Sequence, residues 1–302
     1  MSIGVVIVTY NRIEKLKIAL KSFEKQTLLP SYIVVVNNAS TDKTVDFLKV
    51  WKEKETSFSK YVINLSENLG GSGGFYTGLK YAQTLNSDWI WVSDDDAFPD
   101  KDALKNAKRF LNKKYSAVCG AVINNGKIDL NHRRKLNFKW CKVISKDIPK
   151  KAYSQQKFEL DSFSYVGTII NKQKLRMIGL PRKGYFIWMD DTEHSLRLRT
   201  VGKIICVPSV KIYHNTGKEQ GVSWKTYYGI RNEADMYRRN LPKRYFLYFC
   251  YFGLLKVKIN NLLGRHKQFN VLAKKAYIDA LHGKQGLDST YKPGWKSAEY
   301  KK

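Results

Sequence analysis

Three consecutive carboxylates, Asp94-Asp95-Asp96, follow the apolar run Trp89-Ile90-Trp91-Val92. Adjacent anions repel unless something positive lies between them. The preceding run is short and rich in aromatic and β-branched residues, so it predicts a buried strand. Alternate side chains of an extended chain share a face, which puts Asp94 and Asp96 together and Asp95 opposite. Two carboxylates on one side are hard oxygen ligands for Mg²⁺ or Mn²⁺, ions that commonly keep positions open for a diphosphate. The bland account is a solvated loop that caps a helix starting near Asp100.

Two further groups could join this chemistry. The aromatic run Gly184-Tyr-Phe-Ile-Trp188-Met ends in Asp190-Asp191-Thr192-Glu193. Acids in a first helical turn suit the helix dipole, which is reason enough for them. A carboxylate at a loop–helix junction beside aromatic rings can also take a proton from a substrate hydroxyl. His214 closes the apolar run from Val210. A lone histidine is usually structural, but at a strand end in a carboxylate-rich chain it is a candidate third metal ligand. The stretch Glu67–Phe75 has four glycines in five positions. It predicts a loop that lets backbone approach a ligand, ahead of a helix over Phe75–Leu85. It is neither the dinucleotide fingerprint nor a P-loop, since no Gly-Lys-Ser/Thr ends it.

The elements that would position these groups alternate. Ile3–Tyr10 is a continuous β-branched run, as in a strand buried on both faces. Asn11 then caps a helix through Phe23. A strand over Tyr32–Val36, a helix through Trp51 and a strand over Tyr61–Leu65 follow. This order predicts a parallel, doubly wound sheet with ligands beyond the carboxyl ends of its strands. After the triplet come a helix over 101–112 and a strand over Ala117–Ile123. Residues 124–157 read as a basic, irregular insertion opening on an Asn124-Asn125-Gly126 hairpin turn. Phe163–Ile170 returns to strand, Asn171–Met177 to a short helix, and Lys203–Val207 to strand.

The domain division expected is 1–214 for the α/β part and 215–302 for a basic, aromatic helical region. A helix over Trp224–Asn240 ends at Leu241-Pro242. The aromatic stretch that follows Arg244 is too short to span a bilayer. Two readings stand for 243–264: a core helix, or an interfacial helix with aromatic groups at headgroup level.

The chain has 302 residues, with 54 Lys+Arg against 26 Asp+Glu, a net charge of +28. Such a surplus favours anionic partners: nucleic acid, an acidic membrane or phosphorylated substrates. The four cysteines show no paired spacing, and no basic-then-apolar leader opens the chain. A reduced, cytoplasmic setting is the expectation. A basic nucleic-acid-binding protein is the rival reading, but no recognised nucleic-acid motif is present and the Asp triplet has no role in it.

Taken together, Val6-Ile-Val-Thr-Tyr-Asn-Arg12, Val36-Asn-Asn-Ala-Ser-Thr-Asp42, Asn68-Leu-Gly-Gly71, Asp94-Asp-Asp96, Trp188-Met-Asp-Asp-Thr-Glu193 and His214 followed by Tyr227-Tyr-x-x-Arg-Asn232 resemble the family 2 glycosyltransferases. The Gly-rich stretch and the acidic boxes are most similar to bacterial galactofuranosyltransferases, with rhamnosyltransferases of polysaccharide assembly sharing much of the pattern. The resemblance implies a GT-A fold and an inverting, metal-dependent transfer, galactofuranose from UDP-galactofuranose being favoured and rhamnose from dTDP-rhamnose the alternative. It implies Asp94, Asp96 and His214 as ligands of Mn²⁺ or Mg²⁺ and Asp191 as the catalytic base. Thr9, Tyr10, Arg12, Asn37, Asn68, Gly70, Gly71, Asp95 and Arg231 would bind the nucleotide sugar. Asn37 stands where the family usually has an aspartate, which leaves the base open. Trp188, Asp190 and Glu193 would position the acceptor, a glycan or polyprenyl-diphosphate-linked sugar. The implied place is peripheral, on the anionic inner face of the plasma membrane.

Overall fold

The computed structural model describes residues 1–215 and 221–297. The first half alternates strand and helix: β1 (Ile3–Thr9), α1 (Ile13–Glu24), β2 (Tyr32–Asn37), α2 (Thr44–Glu53), β3 (Ser59–Asn64), α3 (Gly70–Ala82) and β4 (Trp89–Asp94). Then come β5 (Phe98–Pro99), α4 (Ala103–Lys108), β6 (Tyr115–Asn124) and β7 (Lys127–Ile128). The insertion supplies β8 (Arg133–Phe138) and β9 (Val143–Asp147), and β10 (Phe158–Leu160) and β11 (Ser162–Phe163) follow it. β12 (Thr168–Asn171), α5 (Lys172–Ile178), α6 (Asp190–Leu198) and β13 (Lys203–Tyr213) complete the sheet region. Three helices follow: α7 (Trp224–Asn240), α8 (Lys243–Leu262) and α9 (Lys267–Leu281).

The main sheet runs β10-β13-β6-β12-β4-β1-β2-β3. β4, β1, β2 and β3 are parallel, as the β-α-β order requires. β12 enters antiparallel between β4 and β6, so the sheet is mostly rather than wholly parallel. Every residue of β1 and β2 is buried, because helices cover both faces. Apolar clusters fill the two sides, one around Trp91, Phe23 and Leu104, the other around Val92, Phe75 and Tyr165.

Four local expectations are corrected. The glycines do not form a loop: α3 begins at Gly70 and contains Gly71, Gly73, Gly74 and Gly78. They are there because α3 lies directly on β1. A Cβ on Gly74 would stand 2.4 Å from Val8 Cγ1, and one on Gly78 2.4 Å from Val6 Cγ1. Asn11 does not cap α1. It has φ +52°, and its Oδ1 accepts from the Thr41 backbone N–H at 2.7 Å, tying the β1 and β2 loops together. The helix expected over 101–112 is only Ala103–Lys108. The insertion is not irregular: β8 and β9 form a hairpin, and β11 joins them in a second sheet.

α8 packs one side into the fold, as the core-helix reading of 243–264 expects. Tyr245, Phe246, Cys250, Gly253 and Val257 face inward against α7 and α9, while the opposite side is open. No helix among the described residues is long and apolar enough to cross a membrane.

α6 is pinned by a buried histidine. The His194 Nδ1 meets the Tyr165 hydroxyl at 2.9 Å and Nε2 meets the Gly179 carbonyl at 3.3 Å. A ring that accepts from Tyr165 and donates to Gly179 is neutral. Burial, seconded by Arg197, lowers its pKa from 6.5 to about 3. The unfolded chain therefore binds a proton between these values that the folded chain does not. Stability should fall as pH drops below the unfolded value, by up to about 1.4 kcal/mol per pH unit. Urea unfolding of wild type and His194→Gln from neutral to acid pH tests this: the wild-type curve should lose more, and parallel curves would refute it.

Candidate active site

β1, β2 and β4 end at the same edge of the sheet, and their last residues meet there. Asp94 is the final residue of β4. Asp95 turns away from it, accepting from the Thr9 hydroxyl at 2.8 Å and pairing with Arg12 at 3.4 Å. Asp96 returns to the side of Asp94, and the ring of His214, just beyond β13, reaches it with Nε2 3.2 Å from Asp96 Oδ1. One possible ligand atom from each of Asp94, Asp96 and His214 fits within a mutual distance of 4.8 Å. Two carboxylates and an imidazole are a donor set that fits Mn²⁺ or Mg²⁺ with positions left for phosphate oxygens.

The charges in this cluster are unequally served. Burial works to raise Asp96, but His214, Arg12 and Lys15 together hold it well below the usual carboxylate range. Asp94 makes no side-chain hydrogen bond among the described residues, and burial followed by the nearness of Asp96 pushes it up to about 7 against the pull of His214 and Arg12. Burial also lifts Asp95 to about 6 against Arg12 and Thr9. His214 is raised: Asp96 and Asp94 outweigh its burial.

A cavity of about 240 Å³ opens at this edge. Thr9, Tyr10, Arg12, Asn68, Gly70, Gly71, Asp94 and Asp95 are in its wall. Sequence reasoning missed others there, among them Asn38, Phe186, Trp224 and Lys225. Asn38 fixes the wall. Its Nδ2 donates to Asn68 Oδ1 and the Gly70 carbonyl, and its Oδ1 accepts from the Leu69 N–H. Of the Asn37-Asn38 pair, it is Asn38 that is in the cavity wall. Asn37 is buried at the end of β2, donating to Asn64 and accepting from the Ser40 N–H, so it supports the loop and is not in the cavity wall.

A second cavity, of about 170 Å³, has Asp191, Trp188, His132 and Arg134 in its wall. Asp191 Oδ1 accepts from the Thr192 N–H at 2.6 Å, and Oδ2 has no hydrogen-bond partner among the described residues. Burial lifts the Asp191 carboxyl above its ordinary range despite Thr192. The two cavities flank the acidic cluster. Asp94 is in the wall of the first, and the His214 ring lies edge-on to His132, in the wall of the second, at 5.5 Å. Ile187 and Trp188, adjacent in the chain, face one cavity each.

The loop between them is held in an uncommon backbone state. Phe186, Trp188 and Met189 all have positive φ, which costs about 1–3 kcal/mol each for such residues. Asn232 of α7 restrains it, its amide reaching the carbonyls of Tyr185, Ile187 and Trp188 at 2.9 Å each. Gly70 lets the loop close down, since a Cβ there would lie 1.9 Å from the Phe186 carbonyl oxygen.

This same network corrects three assignments. Arg231 is 2% exposed and donates to the carbonyls of Gly184, Tyr185 and Gly286, so it braces the loop and is not free for a diphosphate. Glu193 is 0% exposed and is taken by Arg182, Arg197 and Asn240, so it locks α6 and cannot meet an acceptor. Asp190 is buried too, and burial with the nearby Asp191 lifts its carboxyl well above the ordinary range. Arg133, fully buried and unremarked in the sequence, donates to the carbonyls of Gly120, His132, Ser164 and Val166, and so fixes His132 beside His214.

A mostly parallel sheet with an acidic cluster at its carboxyl edge and a cavity on either side defines a glycosyltransferase of the GT-A fold. The chain belongs to glycosyl transferase family 2, whose profile matches residues 4–176. The galactofuranosyltransferase GlfT1 of Mycobacterium tuberculosis is 34% identical over 96 residues, 32% of this chain and 30% of that relative. The match thus spans less than a third of GlfT1. The dTDP-rhamnosyl transferase RfbF of Shigella flexneri is 22% identical over 95% of this chain and 96% of its own length. Among solved structures, the mannosyltransferase PcManGT of Pyrobaculum calidifontis, in complex with GDP-Man and Mn²⁺, aligns with a TM-score of 0.57. It is 18% identical and covers 93% of this chain and 74% of that one.

Proposed function

We propose that the protein transfers a sugar from a nucleoside diphosphate to a hydroxyl of a polysaccharide or lipid-diphosphate-linked acceptor, with inversion. The observation that carries this reading is the position of Asp94, Asp96 and His214 between the two cavities. The first cavity suits the donor: Tyr10 and the Asn68–Gly71 wall beside the nucleotide, Asp95 and Arg12 beside ribose and phosphate. Asp94, Asp96 and His214 would hold Mn²⁺ or Mg²⁺, which supplies Lewis acidity for the departing diphosphate. The second cavity suits the acceptor, with Trp188 as a stacking surface for a sugar ring.

Asp191 Oδ2 accepts the proton of the acceptor hydroxyl as its oxygen bonds to the anomeric carbon. The bond from that carbon to the phosphate oxygen breaks, and the nucleoside diphosphate leaves with the electron pair. One displacement inverts the anomeric centre, unlike retaining hydrolysis, which uses two. UDP-galactofuranose is the favoured donor, supported by the local likeness to GlfT1. The end-to-end likeness to RfbF supports dTDP-rhamnose as the second reading. Both are tested by screening UDP-galactofuranose, dTDP-rhamnose, UDP-galactopyranose and GDP-mannose for diphosphate release, with Mn²⁺ and with chelator. Release from one donor in Mn²⁺ alone is expected. Equal release with chelator would overturn the metal assignment, and no release from any donor, with acceptor glycans present, the transferase reading.

A further inference from the structure

The outer side of α8 is apolar and uncovered. Tyr251, Leu255, Ile259 and Leu262 recur at helical spacing and stand 45 to 79% exposed. The tip of the β8–β9 hairpin abuts this stripe. The Tyr245 hydroxyl donates to the Lys139 carbonyl, and the Arg244 guanidinium donates to the Trp140 carbonyl. The Lys142 ammonium lies over the rings of Tyr248 and Phe252, which stack on each other at 5.0 Å. Trp140, at 80% exposure, stands at the tip. A hairpin from the sheet region and a helix from the C-terminal region thus make one surface.

We propose that the hairpin tip and the outer face of α8 together seat the protein on an anionic phospholipid surface. Residues 236–278 contain ten Lys and Arg and no Asp or Glu. Aliphatic groups flanked by cations, with aromatic rings at the edge, are what an interfacial helix presents to headgroups and acyl chains. The aliphatic centre decides against nucleic acid, which offers phosphates and base faces but nothing to Leu255, Ile259 or Leu262. A second copy is disfavoured because both partners would bring the same positive charge: Arg238, Arg239 and Lys275 are paired with Asp235, Asp279 and Asp288, but the other seven of those ten make no ion pair among the described residues. The contact does not depend on which donor or acceptor the active site takes.

Flotation of the full chain with vesicles tests this, using phosphatidylcholine alone and phosphatidylcholine with phosphatidylglycerol. Binding is expected only with the anionic lipid, and it should weaken with salt. Lys142→Gln/Lys256→Gln should weaken it by roughly thirtyfold, given the contribution of each basic group near such a surface. Leu255→Ser/Ile259→Ser, at exposed positions, should also detach the protein while leaving its circular dichroism unchanged. Wild-type failure to float, equal flotation of all variants, or a dimer or an RNA complex that the serine variant alone disrupts would overturn the proposal. Diphosphate release with a soluble acceptor is measured on the same samples. Intact release without flotation sinks the membrane seat, and flotation without release sinks the transferase reading.

Discussion

Asp191→Asn should lower kcat by about a thousandfold while leaving donor affinity unchanged, the range general-base removal typically costs. The substitution keeps the size of the side chain and its acceptor toward the Thr192 N–H, so α6 keeps its first turn. What it removes is the carboxylate oxygen in that cavity wall that makes no protein hydrogen bond among the described residues. Asp190→Asn is the matched control. Its carboxyl is buried and in the wall of neither cavity, so turnover should fall far less. The raised Asp191 carboxyl also predicts the acid limb of the rate profile: activity falls as pH drops through a value above the ordinary carboxylate range. Steady-state rates for the two variants with saturating acceptor decide the matter. An Asp190 variant that fails while the Asp191 variant turns over would reverse the assignment.

What the amino-acid order reveals and what it hides differ for physical reasons. β1, β2 and β4 are legible because burial on both faces leaves unbroken β-branched and aromatic runs. The pairing of Asp94 with Asp96 is legible because alternation is a local rule. The start of α3 is hidden because its cause is not local. Glycine reads as loop until Val6 and Val8 are known to lie beneath it. Arg231 and Glu193 mislead for a related reason. A charged side chain in a motif looks available, and only the fold shows that distant carbonyls and guanidinium groups have already satisfied it. Asn232 and Asn38 stand inside motifs but show no role in the sequence, because their work is to hold other residues' backbone. α8 hides its two faces because both are apolar, so periodicity has little contrast to show.

Asp94→Asn should make the protein more stable without metal and inactive with it. The reasoning starts from the unequal service of the cluster. Arg12 and Lys15 bond to Asp95 and Asp96, whereas Asp94 sits beside Asp96 with no side-chain hydrogen bond of its own among the described residues. Removing its charge relieves that repulsion and the cost of burying it, a gain of about 1 kcal/mol of the kind commonly seen when a functional charge is neutralised. The same change takes an anionic oxygen from a three-ligand set, so little Mn²⁺ affinity should survive. Wild type should therefore show a Tm that climbs with Mn²⁺ concentration, as any ligand of the folded state requires. The variant should begin higher and stay flat, with diphosphate release lost by at least about a hundredfold, the several kcal/mol that a Lewis acid supplies. A variant whose Tm still climbs with Mn²⁺ as steeply as wild type would mean that Asp94 is not a ligand, and with it the junction between the two cavities would lose its chemical meaning.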